Sequence, residues 1–198
     1  WQTITGCTVS EGYGLTETSP FSAFLGPDKA LEKLGSAGLP PITSGVRIVD
    51  ADNQPLGANA RGEICLCGPN IMKGYWNRPE ATADAIDAQG WFHSGDIGYL
   101  DEEGFLFICD RVKDMVISGG ENVYPAEVES VLFGHEAIAE VAVIGLPDDQ
   151  WGEAVTAVVA LNEGQSLTLE ALRQFAQDKL AKYKLPLRLH QVDVLPRN

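Results

Sequence analysis

The sequence predicts an α+β fold in two blocks: a β-rich block over residues 1–111, then a small α+β block over residues 112–198. Three observations predict it. Up to residue 111, short apolar runs alternate with turns rich in Gly, Asn and Pro, the pattern of short strands. Beyond it, strand-like runs and helical spacings follow in the order strand, helix, strand, strand, helix, strand. Between the blocks lies Asp110-Arg111-Val112-Lys113-Asp114. A passive linker would more often be Gly, Ser or Pro. This charged run is therefore read as a hinge, with a ligand held where the blocks meet.

In chain order, Cys7-Thr8-Val9 reads as a short strand entering the turn Gly12-Tyr13-Gly14-Leu15-Thr16-Glu17. Glycines beside Tyr13 allow a flat ligand close to the backbone. The Thr16 hydroxyl and Glu17 carboxylate suit a phosphate and its Mg²⁺. Taken alone, the segment is equally an ordinary turn with exposed polar groups. Gly45–Asp50 alternates like a strand, Asp52–Gly57 supplies turn residues, and Gly62–Gly68 is a further strand. Tyr75 and Trp76 read as core aromatics. Pro79 opens a short helix, where its missing N–H costs least.

In Trp91–Gly98 a carboxylate, Asp96, sits between glycines and can accept bonds from vicinal sugar hydroxyls. His93, standing alone, reads as structural. Asp101-Glu102-Glu103-Gly104 is a solvated hairpin turn between Gly98–Leu100 and Phe105–Ile108. In the second block, Met115-Val116-Ile117 is a strand and Ser118–Asn122 a polar loop with paired glycines. A helix starts at Tyr124-Pro125, with acidic residues early as the dipole favours. Glu140–Ile144 and Ala154–Leu161 are apolar on both faces, so both should be covered. Thr168 is an N-cap, and Leu169, Leu172, Phe175, Ala176 and Leu180 form a helical core stripe. Leu189–Leu195 is the last strand.

The formal net charge of −14 disfavours nucleic acid and anionic membranes as partners. The sequence contains neither a long apolar span nor the basic-then-apolar pattern of a secretory signal. Cys7, Cys65, Cys67 and Cys109 lack metal-site spacing and read as small buried thiols of a reducing compartment.

The ordered set EGYGLTE, GEICLCGPNIMKGYW, GWFHSGDIG, DRVKDMVISGGENVYP, PDDQWGE and YKLP runs the length of the chain. Together these motifs resemble the C-terminal portion of the AMP-forming acyl-CoA synthetases, in the adenylate-forming superfamily with luciferase and the peptide-synthetase adenylation domains. GYGLTETSP and DRVKDM lean toward bacterial long-chain fatty-acid CoA ligases. The resemblance implies that residues 1–111 end the large AMP-binding domain and residues 112–198 are its small mobile partner domain. It implies ATP, Mg²⁺ and CoA as reactants, a carboxylic acid as substrate, acyl-adenylate and pyrophosphate as first products, then acyl-CoA and AMP.

By the same resemblance, Gly12, Tyr13 and Gly14 border the adenine, Thr16 contacts phosphate and Glu17 ligates Mg²⁺. Asp96 holds the ribose hydroxyls, Arg111 reaches the ribose and Ile108 packs near the nucleoside. Lys113 is the hinge position, and Ser118, Gly119 and Gly120 form the loop serving thioester formation. The family's phosphate loop and terminal lysine fall outside these residues, so the chain is expected to be an inactive fragment of a fatty acid–CoA ligase. An aryl or phenylpropanoid acid–CoA ligase and a domain loading a carrier protein share the motifs. The implied location is cytoplasmic, with contact of the whole protein with the inner membrane left open.

Overall fold

The structure, a computed structural model, describes residues 2–196. It is an α+β fold whose two units divide between Val112 and Lys113. After a single helical turn, α1 (Gln2–Thr5), the chain runs through Cys7–Val9 without forming the expected strand. The strand begins later, because only from Glu11 does the chain find a partner. There β1 (Glu11–Tyr13) pairs antiparallel with β2 (Ala23–Leu25).

Five further strands form one antiparallel sheet in the order β3 (Ser36–Gly38), β7 (Leu106–Arg111), β6 (Phe92–Leu100), β5 (Gly62–Cys67), β4 (Gly45–Val49). The alternation expected over residues 45–50 and 62–68 is thus real pairing, Gly45↔Cys67 through Val49↔Glu63. Ile48, Ile64, Leu66, Phe92 and Leu106 point into one core with Tyr13 and Ala23. A fully buried aliphatic side chain of this kind contributes about 1.5–3 kcal/mol. The short helix α2 (Pro79–Ala85) begins on its proline, as expected.

The hairpin joining β6 and β7 turns at residues 101–105, and the acidic run there is more than a solvated turn. Asp101 Oδ1 accepts the N–H groups of Glu103 and Phe105, both at 2.9 Å. Its Oδ2 receives the Lys33 ammonium at 2.8 Å. Two other expectations fail in this unit. Tyr75 is 38% exposed and Trp76 89%, so neither is a core aromatic. Of the four thiols Cys65 is buried, Cys67 and Cys109 are half-buried, and Cys7 is exposed.

The second unit has one strand more than its sequence suggests. Ser118–Asn122 is not an open loop: β8 (Val116–Ser118) and β9 (Glu121–Val123) are joined by a two-residue turn, with Ser118 opposite Glu121. Helix α3 (Pro125–Leu132) follows, then the long hairpin β10 (Ile138–Asp148) and β11 (Gly152–Leu161). Both strands extend past the apolar cores seen in sequence because backbone pairing continues through Pro147↔Glu153. β11 pairs with β10, β12 (Arg188–Val192) and, at Gly152, β8. It is accordingly buried along most of its length, whereas β10 lies at the sheet edge and is only partly covered.

Helix α4 (Leu169–Ala176) carries the parallel crossover from β11 to β12. Thr168 caps it, its Oγ1 accepting the Ala171 N–H at 3.2 Å. Leu172, Ala176 and Leu180 are buried in the core of this unit, while Phe175 is half-buried. Among the described residues, no helix is long and apolar enough to cross a membrane.

Candidate functional site

The register of β6 and β7 builds the first cluster. It sets Asp96 opposite Arg111 and Gly98 opposite Ile108, with Cys109 as an extra residue between these pairs. Asp96 and Gly98 are two apart, so they share a face. The bulge at Cys109 brings Arg111 and Ile108, three apart, onto that same face. Asp96 is buried, its Oδ2 accepting the Tyr13 hydroxyl at 2.7 Å and its Oδ1 the Arg111 Nε at 3.4 Å. Ser94 Oγ accepts the Asp96 N–H at 3.1 Å and donates to the Ile64 carbonyl at 2.7 Å. Burial, with the Asp96 carboxylate adding to it, pushes the Tyr13 phenol well above its ordinary range. Tyr13 is therefore a neutral donor. Ile108 is half-exposed and the Arg111 guanidinium more so. An ordered carboxylate beside a reachable cation and an apolar side chain can take a polyhydroxylated ligand with a flat, partly apolar ring.

The second cluster is the turn after β1. Residues Thr16–Thr18 form one 3₁₀ turn, and buried Thr18 accepts the Leu15 N–H on its hydroxyl at 2.9 Å. Asn70 Nδ2 donates to the carbonyls of Thr18 at 2.9 Å and Phe21 at 3.2 Å. Gly12 and Gly14 flank Tyr13, and at both the space a Cβ would take is already occupied. A Cβ on Gly14 would lie 1.5 Å from the Pro20 carbonyl oxygen, so the chain's own return occupies that side. On Gly12 it would touch the Phe21 ring at 3.0 Å.

Thr16 is exposed and Glu17 half-buried. The Glu17 carbonyl accepts the Met72 N–H at 2.8 Å, and its Oε1 accepts the Tyr75 hydroxyl at 2.9 Å. A hydroxyl next to a carboxylate with one oxygen still open is a hard-oxygen set that fits Mg²⁺. Sequence reading missed Tyr75. The available signal was that Gly74 and Pro79 bound the segment, which follows no strand or helix period and so has no core face.

Glu63, Cys65 and His93 offer ligand atoms within 4.8 Å of one another. Their hydrogen bonds brace neighbouring strands of the sheet. His93 Nδ1 lies 2.8 Å from Glu63 Oε2, while Glu63 Oε1 accepts the Gly95 N–H at 3.1 Å. Burial, together with the Glu63 charge, pushes the Cys65 thiol up to about 11. His93 is thus held by Glu63, and the brace ends on the residue before Asp96.

Four predicted residues lie in the second unit. Lys113 is exposed in a 3₁₀ turn, Val112–Asp114. Gly119 and Gly120 have φ of +62° and +82°, the left-handed pair that a tight hairpin turn requires. The Gly119 N–H donates to the Trp151 carbonyl at 2.8 Å, and Ser118 faces Gly152. The SGG turn and the DDQW turn thus meet at one end of the sheet. Asp148 shapes the latter, its Oδ1 accepting the N–H groups of Gln150 at 3.0 Å and Trp151 at 3.1 Å.

Comparison with known proteins matches residues 1–76 to the AMP-binding enzyme family and residues 127–198 to the AMP-binding enzyme C-terminal domain. The chain is 52% identical over 193 residues to a 2-succinylbenzoate–CoA ligase of Geobacillus sp. (strain WCH70), covering 98% of this chain and 39% of that protein. It is 44% identical over 191 residues to a feruloyl-CoA synthase of Amycolatopsis sp., covering 96% of this chain and 39% of the relative. Its fold matches the o-succinylbenzoate CoA synthetase of Bacillus subtilis in complex with its acyl-adenylate intermediate, with TM-score 0.88 and 43% identity over 100% of this chain and 40% of that one. The same enzyme is known in complex with ATP and a magnesium ion. The chain thus spans about two-fifths of the length of these relatives.

Proposed function

The chain belongs to the adenylate-forming superfamily, and from that premise we propose that it serves an AMP-forming ligase joining an aromatic carboxylic acid to CoA. The observation that carries the nucleotide half of this reading is the buried Asp96 carboxylate held by Tyr13 with Arg111 beside it. The aromatic acid is supported by the names of the relatives, which act on 2-succinylbenzoate and form feruloyl-CoA. The lean toward long fatty acids drawn from GYGLTETSP and DRVKDM gives way to this alternative.

In this reading the acid's carboxylate attacks the α-phosphorus of ATP, the bond to pyrophosphate breaks, and the acyl-adenylate forms. The CoA sulfur then attacks the acyl carbonyl, its proton is lost, and AMP leaves with the electron pair of the broken anhydride bond. Asp96 accepts the ribose hydroxyls, Arg111 donates to the ribose, and Ile108 gives the nucleoside an apolar contact. Gly12, Tyr13 and Gly14 border the adenine. Thr16 donates to a phosphate oxygen, and Glu17 holds Mg²⁺, which offsets phosphate charge when bound. Lys113 begins the small domain that turns between half-reactions, while Ser118, Gly119 and Gly120 serve the thioester step.

The test is acid-dependent exchange of pyrophosphate into ATP by the intact protein, with 2-succinylbenzoate, ferulate, cinnamate, octanoate and palmitate, repeated with CoA to detect thioester. Exchange and thioester with an aromatic acid are expected. Turnover of palmitate alone would return the fatty-acid reading, and exchange without CoA thioester would point to a carrier protein as acceptor.

A further inference from the structure

Tyr75 and Glu17 are 58 residues apart, yet the Tyr75 hydroxyl donates to Glu17 Oε1 at 2.9 Å. We propose that Tyr75 is a positioning residue, holding one oxygen of Glu17 so that the other is ordered for a divalent cation. This rests on the reading of Glu17 as the Mg²⁺ ligand.

The two residues are tied by more than one bond. The Met72 N–H donates to the Glu17 carbonyl at 2.8 Å, which fastens the backbone of the 3₁₀ turn to the segment carrying Tyr75. Tyr75 is fixed in turn by α2. Its N–H donates to Thr82 Oγ1 at 2.9 Å, and the Thr82 hydroxyl donates to the Arg78 carbonyl at 2.9 Å. Gly74, at φ +147°, lies so close to Thr82 that a Cβ would sit 2.7 Å from its methyl carbon. A chain of contacts therefore runs from a regular helix to one oxygen of a carboxylate on a single turn of 3₁₀ helix.

The donor's chemistry suits this task. A glutamate is flexible, and ordering it on metal binding costs side-chain entropy. A hydrogen bond made beforehand removes part of that cost and sets the carboxylate plane. Lysine or arginine would order Glu17 too, but its charge would compete with the cation. A phenol orders the group while leaving its charge in place. A phenol ordinarily ionises only near pH 10, so it remains a donor through the neutral range. Among the described residues, Glu17 Oε2 has no hydrogen-bond partner.

The experiment compares Tyr75→Phe and Glu17→Gln with the parent in the intact protein. Two quantities are measured: the affinity for Mn²⁺ in the presence of ATP without acid, by electron paramagnetic resonance, and the Mg²⁺ concentration at half-maximal pyrophosphate exchange. Tyr75→Phe should weaken Mn²⁺ binding and raise the Mg²⁺ requirement roughly three- to tenfold, the scale of one hydrogen bond. Its rate at saturating Mg²⁺ and its melting temperature should stay near the parent's, a split that a merely structural role would not produce. If Glu17→Gln shifts both metal readouts and Tyr75→Phe shifts neither, the positioning role is overturned while the metal role of Glu17 stands. If Glu17→Gln shifts neither, both are overturned.

Discussion

At the scale of single residues, the proposed site turns on carboxylates whose surroundings set their charge and direction. Asp96 is buried between a phenol and a guanidinium, so replacing it removes an acceptor that solvent cannot replace. Asp96→Asn in the intact protein should weaken binding of a non-hydrolysable ATP analogue about tenfold or more, as measured by calorimetry. Unchanged affinity would remove Asp96 from the nucleotide site. Asp87 illustrates a structural carboxylate. Its Oδ1 accepts the N–H groups of Gln89 at 2.8 Å and Trp91 at 2.9 Å, and its Oδ2 the Arg47 guanidinium at 2.7 Å. Burial resists its ionisation, but these donors outweigh that effect and hold its carboxyl below the ordinary range. A depressed folded-state value means the stabilisation is complete above the unfolded value, about 4, and is lost as pH falls through the folded one. Asp87→Asn should therefore cost about 1–2 kcal/mol at pH 7 by urea unfolding, with the gap closing below about pH 4. A gap independent of pH would mean that the charge of Asp87 plays no part.

At the scale of elements, tight turns position what the strands carry. The β8–β9 turn needs two left-handed residues, and Gly120 has open space where a Cβ would go. Gly120→Ala should therefore destabilise through backbone strain alone, by about 1–2 kcal/mol. Gly120→Asn should cost less, because Asn tolerates this conformation. Equal urea midpoints for both variants would count against the strain argument. Gly14 is held differently, by the Pro20 carbonyl facing it. That distinction could not be read from EGYGLTE, where both flanking glycines look alike. Most element positions were legible: the strands over residues 45–49 and 62–67, the proline-led helices α2 and α3, and the Thr168 cap follow from local pattern. β9 was not, because three residues after a Gly pair carry no period to count.

At the scale of the whole molecule, the chain divides between Val112 and Lys113. Residues 111–114 are exposed, and two of them are basic. Brief trypsin treatment should cut after Arg111 or Lys113 before most other sites, leaving fragments that mass spectrometry can assign. Fast cleavage elsewhere with this segment intact would mean that the connection is better protected than its exposure suggests. The proposed site residues divide in the same way. Gly12, Tyr13, Gly14, Thr16, Glu17, Asp96, Ile108 and Arg111 belong to the first unit, while Lys113, Gly119 and Gly120 belong to the second.

The sequence by itself determined the fold class and named most of the polar groups of the proposed site. Both are local: strand and helix periods depend on neighbours, and a carboxylate between glycines is visible wherever it folds. Tertiary structure alone decided which groups meet. It paired Tyr13 with Asp96 across 83 residues and Tyr75 with Glu17 across 58. It also used one bulged residue to turn Ile108 and Arg111 to the same face. These contacts depend on register and on long-range packing, and a one-residue shift in a strand reverses every side chain along it.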